Sequence, residues 1–185
     1  MRHDSHHTQW TLGHVPAGDV VAPELVLTFF PRSFTVRWSL CSTTADFCAD
    51  YLAELDVCRR SRDAINYVLN ELVENAVKFS EGETITISLA IDADALVLVV
   101  ANYVGDATAR SLHTRLGELL ADDPLELLMR RVEENAENPE RESSGLGFLT
   151  MMTDYEALLG WRLSQGSDGS PPLLSTIARL DISRG

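Results

Sequence analysis

No apolar run in the 185-residue chain approaches the roughly 18 residues of a membrane span, although 45% of the residues are hydrophobic. The start has no charged-then-apolar pattern of a secretory leader. Cysteine is scarce: Cys41, Cys48 and Cys58 are odd in number and make no CxxC, so buried free thiols in a reducing cytoplasm are expected. Positive charge is short as well. Fifteen Lys and Arg stand against 28 Asp and Glu, a net charge of −13, which suits a soluble protein and excludes holding nucleic acid by bulk electrostatics. No internal repeat is evident, and the length is enough for one core and one domain.

What is present centres on residues 70–79, Asn-Glu-Leu-Val-Glu-Asn-Ala-Val-Lys-Phe. At about 100° per residue, Ile65, Val68, Leu69, Leu72, Ala76 and Phe79 make one apolar stripe. Glu71, Asn75 and Lys78 follow at spacings of four and three along its flank. A carboxylate, an amide and an ammonium thus share the margin between core and solvent. A Mg-nucleotide site needs these types: an oxygen ligand for the metal, a base, and a cation for phosphate. On spacing alone, a solvated helix flank with a single i,i+4 pair is the commoner outcome.

In chain order, residues 1–22 read as a loose terminus rather than a metal site, despite His3, His6, His7 and His14, with Trp10 a lone anchor. Leu25–Phe30 and Ser33–Leu40 read as strands, broken at Pro31-Arg32 into a hairpin, with Trp38 in the core by alternation. Ser42, Thr43 or Thr44 caps a helix to about Val57, its stripe being Phe47, Cys48, Tyr51, Leu52 and Leu55. A helix over 61–80 carries the central stretch. Strands follow over 84–91 and 95–101, turning at Asp92-Ala93-Asp94. Two helices, 107–121 and 124–135, make an insert, the second capped by Asp122-Asp123 before Pro124. Over 106–142 ten acidic residues face five arginines. Such a surface suits a protein partner, and suits a phosphate only if an arginine reaches in. Gly145-Leu146-Gly147 opens a helix over 148–156, and strands over 157–164 and 173–182 close the chain. A sheet covered on one face by helices is the natural architecture.

Glu71 to Phe79 resembles the N-box of the GHKL ATPases, which include histidine kinases, anti-sigma serine kinases, gyrase B and MutL. Ser143 to Met152 is similar to the family's G2 box, a Gly-x-Gly turn opening an apolar helix. The resemblance implies a Bergerat-type two-layer α/β (α+β) sandwich with a mixed, mostly antiparallel sheet. It implies one domain over 23–185, with residues 106–142 as a lid. ATP and Mg2+ are the implied cofactors. Glu71 is then the base, Asn75 the Mg2+ ligand and Lys78 a phosphate contact, while Gly145, Leu146 and Gly147 form the phosphate turn. Where the family carries Asp-x-Gly-x-Gly, this chain reads Asn102-Tyr103-Val104-Gly105-Asp106. Asn102 then faces adenine without the charge assistance of an Asp, and Gly105 is the one glycine left.

The chain is short for the family and lacks a phosphoacceptor helix or transducer domain. It looks closest to small anti-sigma serine kinases and SiaB-like kinases. The activity implied is ATP-dependent phosphorylation of Ser or Thr on a small partner: STAS-like, a response regulator or a sigma-control protein. The alternative is a docking module that holds nucleotide without turnover, or holds none. No nucleic acid or membrane partner is expected, and a homodimer is left open.

Overall fold

The computed structural model describes residues 9–16, 22–32, 38–55, 61–137, 146–165 and 170–183. Six strands form one sheet: β1 (Trp10–Gly13), β2 (Leu25–Phe29), β3 (Ile85–Asp92), β4 (Ala95–Tyr103), β5 (Leu158–Ser164) and β6 (Leu173–Asp181). Their spatial order is β1-β5-β6-β4-β3-β2. Every pair is antiparallel, where a mixed sheet was expected. Five helices accompany it among the described residues: α1 (Ser39–Ala53), α2 (Arg62–Phe79), α3 (Asp106–Ala121), α4 (Pro124–Glu137) and α5 (Leu146–Thr153). The result is the two-layer α/β sandwich expected from the sequence.

The core lies between the layers. On β3, Ile85, Ile87 and Leu89 are fully buried, and on β4 Leu96, Leu98 and Val100 are too. They meet α2, whose Ile65, Val68, Leu69 and Leu72 are at most 1% exposed. This is the stripe read from the sequence, and its phase fixes which flank of α2 is left for polar residues. α1 packs beside α2 through Cys41, Ala45, Cys48 and Leu52. On the outer surface Arg62 binds Asp46 at 3.2 Å and Asp50 at 2.8 Å, contacts that align the two helices while adding only a little stability.

Several expectations are corrected. The strand proposed over Ser33–Leu40 is not formed where it is described: Trp38 caps α1, and Ser39 and Leu40 are its first turn. Residues 33–37 lie outside the described residues, and Pro31 and Arg32 are helical. β2 pairs with β3 instead of closing a hairpin. Trp38 is 49% exposed rather than core. The alternation was short, and the next residues support a helix differently from a cap. The hydroxyls of Ser42 and Thr43 donate back to Ser39 O, and that of Thr44 to Leu40 O. Helix α1 ends at Ala53, short of Val57, and its Phe47 and Tyr51 are exposed.

Residues 10–13, expected in a loose terminus, form edge strand β1 against β5. Trp10 does anchor there, edge-on to His113 of α3 with ring centroids 5.2 Å apart. Gly13 ends the strand at φ +67, where a side chain would run onto Leu159 O, so both conformation and space require glycine. The cap of α4 is as read: Asp123 Oδ1 accepts from the backbone N–H of Leu125 (3.0 Å) and Glu126 (3.1 Å).

Cys41 and Cys48 are free and fully buried, while Cys58 lies outside the described residues. Burial pushes both thiols up to about 11, and for Cys41 the nearby Glu74 carboxylate adds to this. The thiolate is the reactive species. In the native protein at neutral pH neither thiol should react with iodoacetamide, and both should do so in denaturant. Peptide mapping that finds native alkylation of Cys48 would contradict this packing.

Candidate functional site

A cavity of about 790 Å³ opens where α2, α3, α4 and α5 converge. Helix α2 presents Glu71, Asn75 and Lys78 to it, the three side chains aligned by the sequence spacing, together with Tyr67 and Glu74. Helix α5 closes one end with Leu146, Gly147 and Phe148. The insert supplies apolar Leu112, Leu116 and Leu119, and also Arg115 from α3 and Arg131 from α4. The condition set for an acidic lid, that an arginine reach inward, is therefore met in the geometry.

The charges are nearly matched. Glu71, Glu74 and Glu118 face Lys78, Arg115 and Arg131 around the wall. Lys78 is the single lysine of the whole chain. Burial holds the Glu71 carboxyl above the ordinary glutamate value of 4.5, and Glu74 raises it further. Glu74 is itself held in place by Asn70, whose Nδ2 donates to its Oε1 at 2.9 Å. The Oδ1 of Asn70 is buried with no hydrogen-bond partner.

Gly147 lies directly under the Glu71 carboxylate, and a Cβ there would fall onto Glu71 Oε2. This close approach explains a glycine in the first turn of α5. It also sets an acceptor group at a helix N-terminus, where the peptide dipoles favour negative charge. One turn away, Tyr67 stacks on Tyr155 with centroids 4.7 Å apart, and its hydroxyl bonds to Thr150. Behind α5, Phe148 meets the buried Trp161 edge-on at 5.3 Å. The end of the cavity is thus backed by the sheet.

Not every residue singled out in the sequence is gathered here. Gly145 lies outside the described residues. Asn102 is 2% exposed on the helix-facing side of β4, continuing the series Leu96, Leu98 and Val100, and is not in the cavity wall. Its Nδ2 donates to Tyr103 O at 3.4 Å. Gly105 is the N-cap of α3, with the Glu81 carboxylate packed against it. Thr108 Oγ1 reaches the same carboxylate at 3.2 Å. That helix N-terminus is occupied by the protein's own acid. Asp106, next to Gly105, is exposed in the first turn of α3.

The sequence reading missed Trp38, Tyr67 and Glu74 at the cavity, and left open which arginines of the insert reach it, the place that Arg115 and Arg131 take. For Tyr67 and Glu74 a signal existed, since they stand four before and three after Glu71 on the same helix face. For the others none did, because they arrive from other elements.

The donor set suits a Mg-nucleotide. Three cations can meet phosphate, an amide oxygen can meet a hard metal, and leucines and aromatics give an apolar wall. Among the described residues no group of three or more His, Cys, Asp or Glu side chains forms a metal cage. A metal here would complete its shell with phosphate oxygens and water, as Mg2+ commonly does. Nor is any helix among the described residues long and apolar enough to cross a membrane.

No family profile matches this chain, and no curated protein does. A solved structure does match in fold. A chain in the crystal structure of the SiaB–SiaC complex from Pseudomonas aeruginosa superposes with a TM-score of 0.63 at 19% sequence identity. The alignment covers 85% of the present chain and 91% of that one. At this identity the likeness is one of fold.

Proposed function

We propose that the chain is a nucleotide-binding signalling regulator that transfers the ATP γ-phosphoryl group to a Ser or Thr hydroxyl of a small partner protein of the STAS-like or sigma-control kind. The observation that carries this reading is the meeting, across one cavity, of Glu71, Asn75 and Lys78 with Gly147 and two insert arginines. ATP supplies the phosphoryl group. Glu71 orients the partner's hydroxyl and takes its proton, and a carboxyl raised by burial is better matched to that task near neutral pH. Asn75 offers its amide oxygen to Mg2+. Lys78, Arg115 and Arg131 neutralise phosphate charge, and such neutralisation is most of what phosphoryl transfer requires of a protein. A fold shared with a chain of a two-protein complex is in keeping with a protein partner.

The single lysine makes a direct test. Isothiocyanate should label Lys78, and Mg-ATP should protect it, as read by peptide mass spectrometry. Calorimetry should then show Asn75→Ala losing more affinity for Mg-ATP than Lys78→Ala. The two arginines can cover for the lysine's charge, whereas Asn75 carries the one side-chain amide among the described residues of the cavity wall. Full Lys78 labelling under saturating Mg-ATP, with no heat in the titration, would sink the nucleotide reading.

A second reading is favoured by one observation: Asn102 and Gly105 stand outside the cavity. On that reading the chain is a docking module whose cavity binds nucleotide without turnover, or binds none. Silence with ATP, ADP and GTP alike would favour it.

A further inference from the structure

The geometry points to the outer face of α4 as a docking surface for a protein whose apolar patch is bordered by lysine or arginine. This extends the proposed function, since it rests on that reading's protein partner and assigns the contact to a surface away from the cavity. Helix α4 is amphipathic twice over. Leu127 is 5% exposed and turned to the core, and Arg131 lines the cavity. On the opposite side Leu125, Met129 and Val132, at spacings of four and three, are 56%, 60% and 51% exposed. They form one line along the helix. Isolated exposed apolar residues need no explanation, but three in a row on one helix face mark a contact surface.

Charge selects the occupant. Glu126 and Glu133 follow the stripe along one border, about a quarter turn round the helix. Over residues 122–137 six acidic residues stand against two arginines. One of these arginines is paired to Asp122 at 3.2 Å and the other turns into the cavity. The stripe is therefore an apolar line with an acidic border. A second copy of the chain would bring the same acidic border and a net charge of −13, so like charges oppose self-association. An anionic membrane is opposed for the same reason. A basic-rimmed apolar groove is matched in both respects, with the border steering encounter and the stripe supplying buried area.

The test uses the full chain and a fluorescein-labelled amphipathic helical peptide made of leucine and lysine, with a leucine and glutamate peptide as control. Fluorescence anisotropy should show binding of the lysine peptide alone, weaker at high salt. Leu125→Ser with Met129→Ser should weaken it about tenfold or more, given the apolar area lost. Glu126→Lys with Glu133→Lys should weaken it as well. These positions are exposed, so folding is not at stake, and circular dichroism checks this. Equal peptide binding by wild type and both double variants would overturn the proposal. So would sedimentation showing a dimer that Met129→Ser dissociates, or binding to phosphatidylserine vesicles that the same change removes. Lys78 protection by Mg-ATP is read in parallel. Loss of that protection with peptide binding intact defeats only the nucleotide reading, and the reverse outcome defeats only the docking surface.

Discussion

Replacing Trp161 with alanine should destabilise the fold by about 3–5 kcal/mol, the range for removing a fully buried aromatic side chain. Trp161 is 1% exposed and sits on β5, paired across the ladder to Leu12 of β1 and Thr176 of β6. Its ring backs Phe148, the residue directly after Gly147 in the first turn of α5. The loss therefore has two parts: the apolar area withdrawn from water, and a void beneath α5 that the sheet cannot collapse to fill. Thermal unfolding should move down by roughly 6–20 °C for a chain of this size. Trp161→Phe should recover much of this, because it restores the edge-on contact. A midpoint shift of only a degree or two in Trp161→Ala would mean that the sheet does not back α5 as described.

Glu71→Gln should act in opposite directions on activity and stability. In its proposed role as the base, Glu71 is expected to contribute roughly 10²–10⁴-fold to phosphoryl transfer, and glutamine cannot take the proton. Affinity for Mg-ATP should stay within a few fold, since the change conserves size and removes a negative charge near phosphate. Stability should rise. The folded protein holds this carboxyl above its ordinary value of 4.5 through burial first and Glu74 second. The folded state thus binds the proton more tightly than the unfolded chain does. Its contribution is most favourable at low pH and is lost as pH rises from about the ordinary value through the raised one. Glutamine removes that dependence, so the variant's gain in unfolding temperature should be larger at pH 7 than at pH 4. A variant that transfers phosphate at the wild-type rate, or that unfolds earlier at pH 7, would remove Glu71 from this role. Destabilised ionisable groups are common where a site is kept for chemistry rather than for packing.

Much of the architecture was legible because local periodicity carried it. The α2 stripe from Ile65 to Leu72 names the buried face, and so places Glu71, Asn75 and Lys78 together on its margin. Asp123 announces α4 through its side-chain acceptor, a contact two and three residues long in sequence. Alternation marked β3 as well, whereas β4 is a continuous apolar run in sequence, so only the structure puts Asn102 on the helix-facing side, in phase with Leu96, Leu98 and Val100. Illegible parts depend on partners far away in the chain. β1 is four residues long, and among the described residues it pairs with β5, about 150 residues on. Trp38 followed an alternation that suits a strand, but the chain there joins a helix beside α2 and leaves the ring at the cavity rim.

The sequence by itself determined the triad of acid, amide and amine on one helix flank, the scarcity of positive charge and the acidic insert. These are set by residue spacing and composition, which act over a few residues or over the whole chain. Only the tertiary structure decided that Gly147 comes under Glu71, that Arg115 and Arg131 turn inward, and that Leu125, Met129 and Val132 stay outside. Each of these depends on the rotation of one helix about its axis relative to another, and that angle is settled by packing across the core rather than by any local pattern.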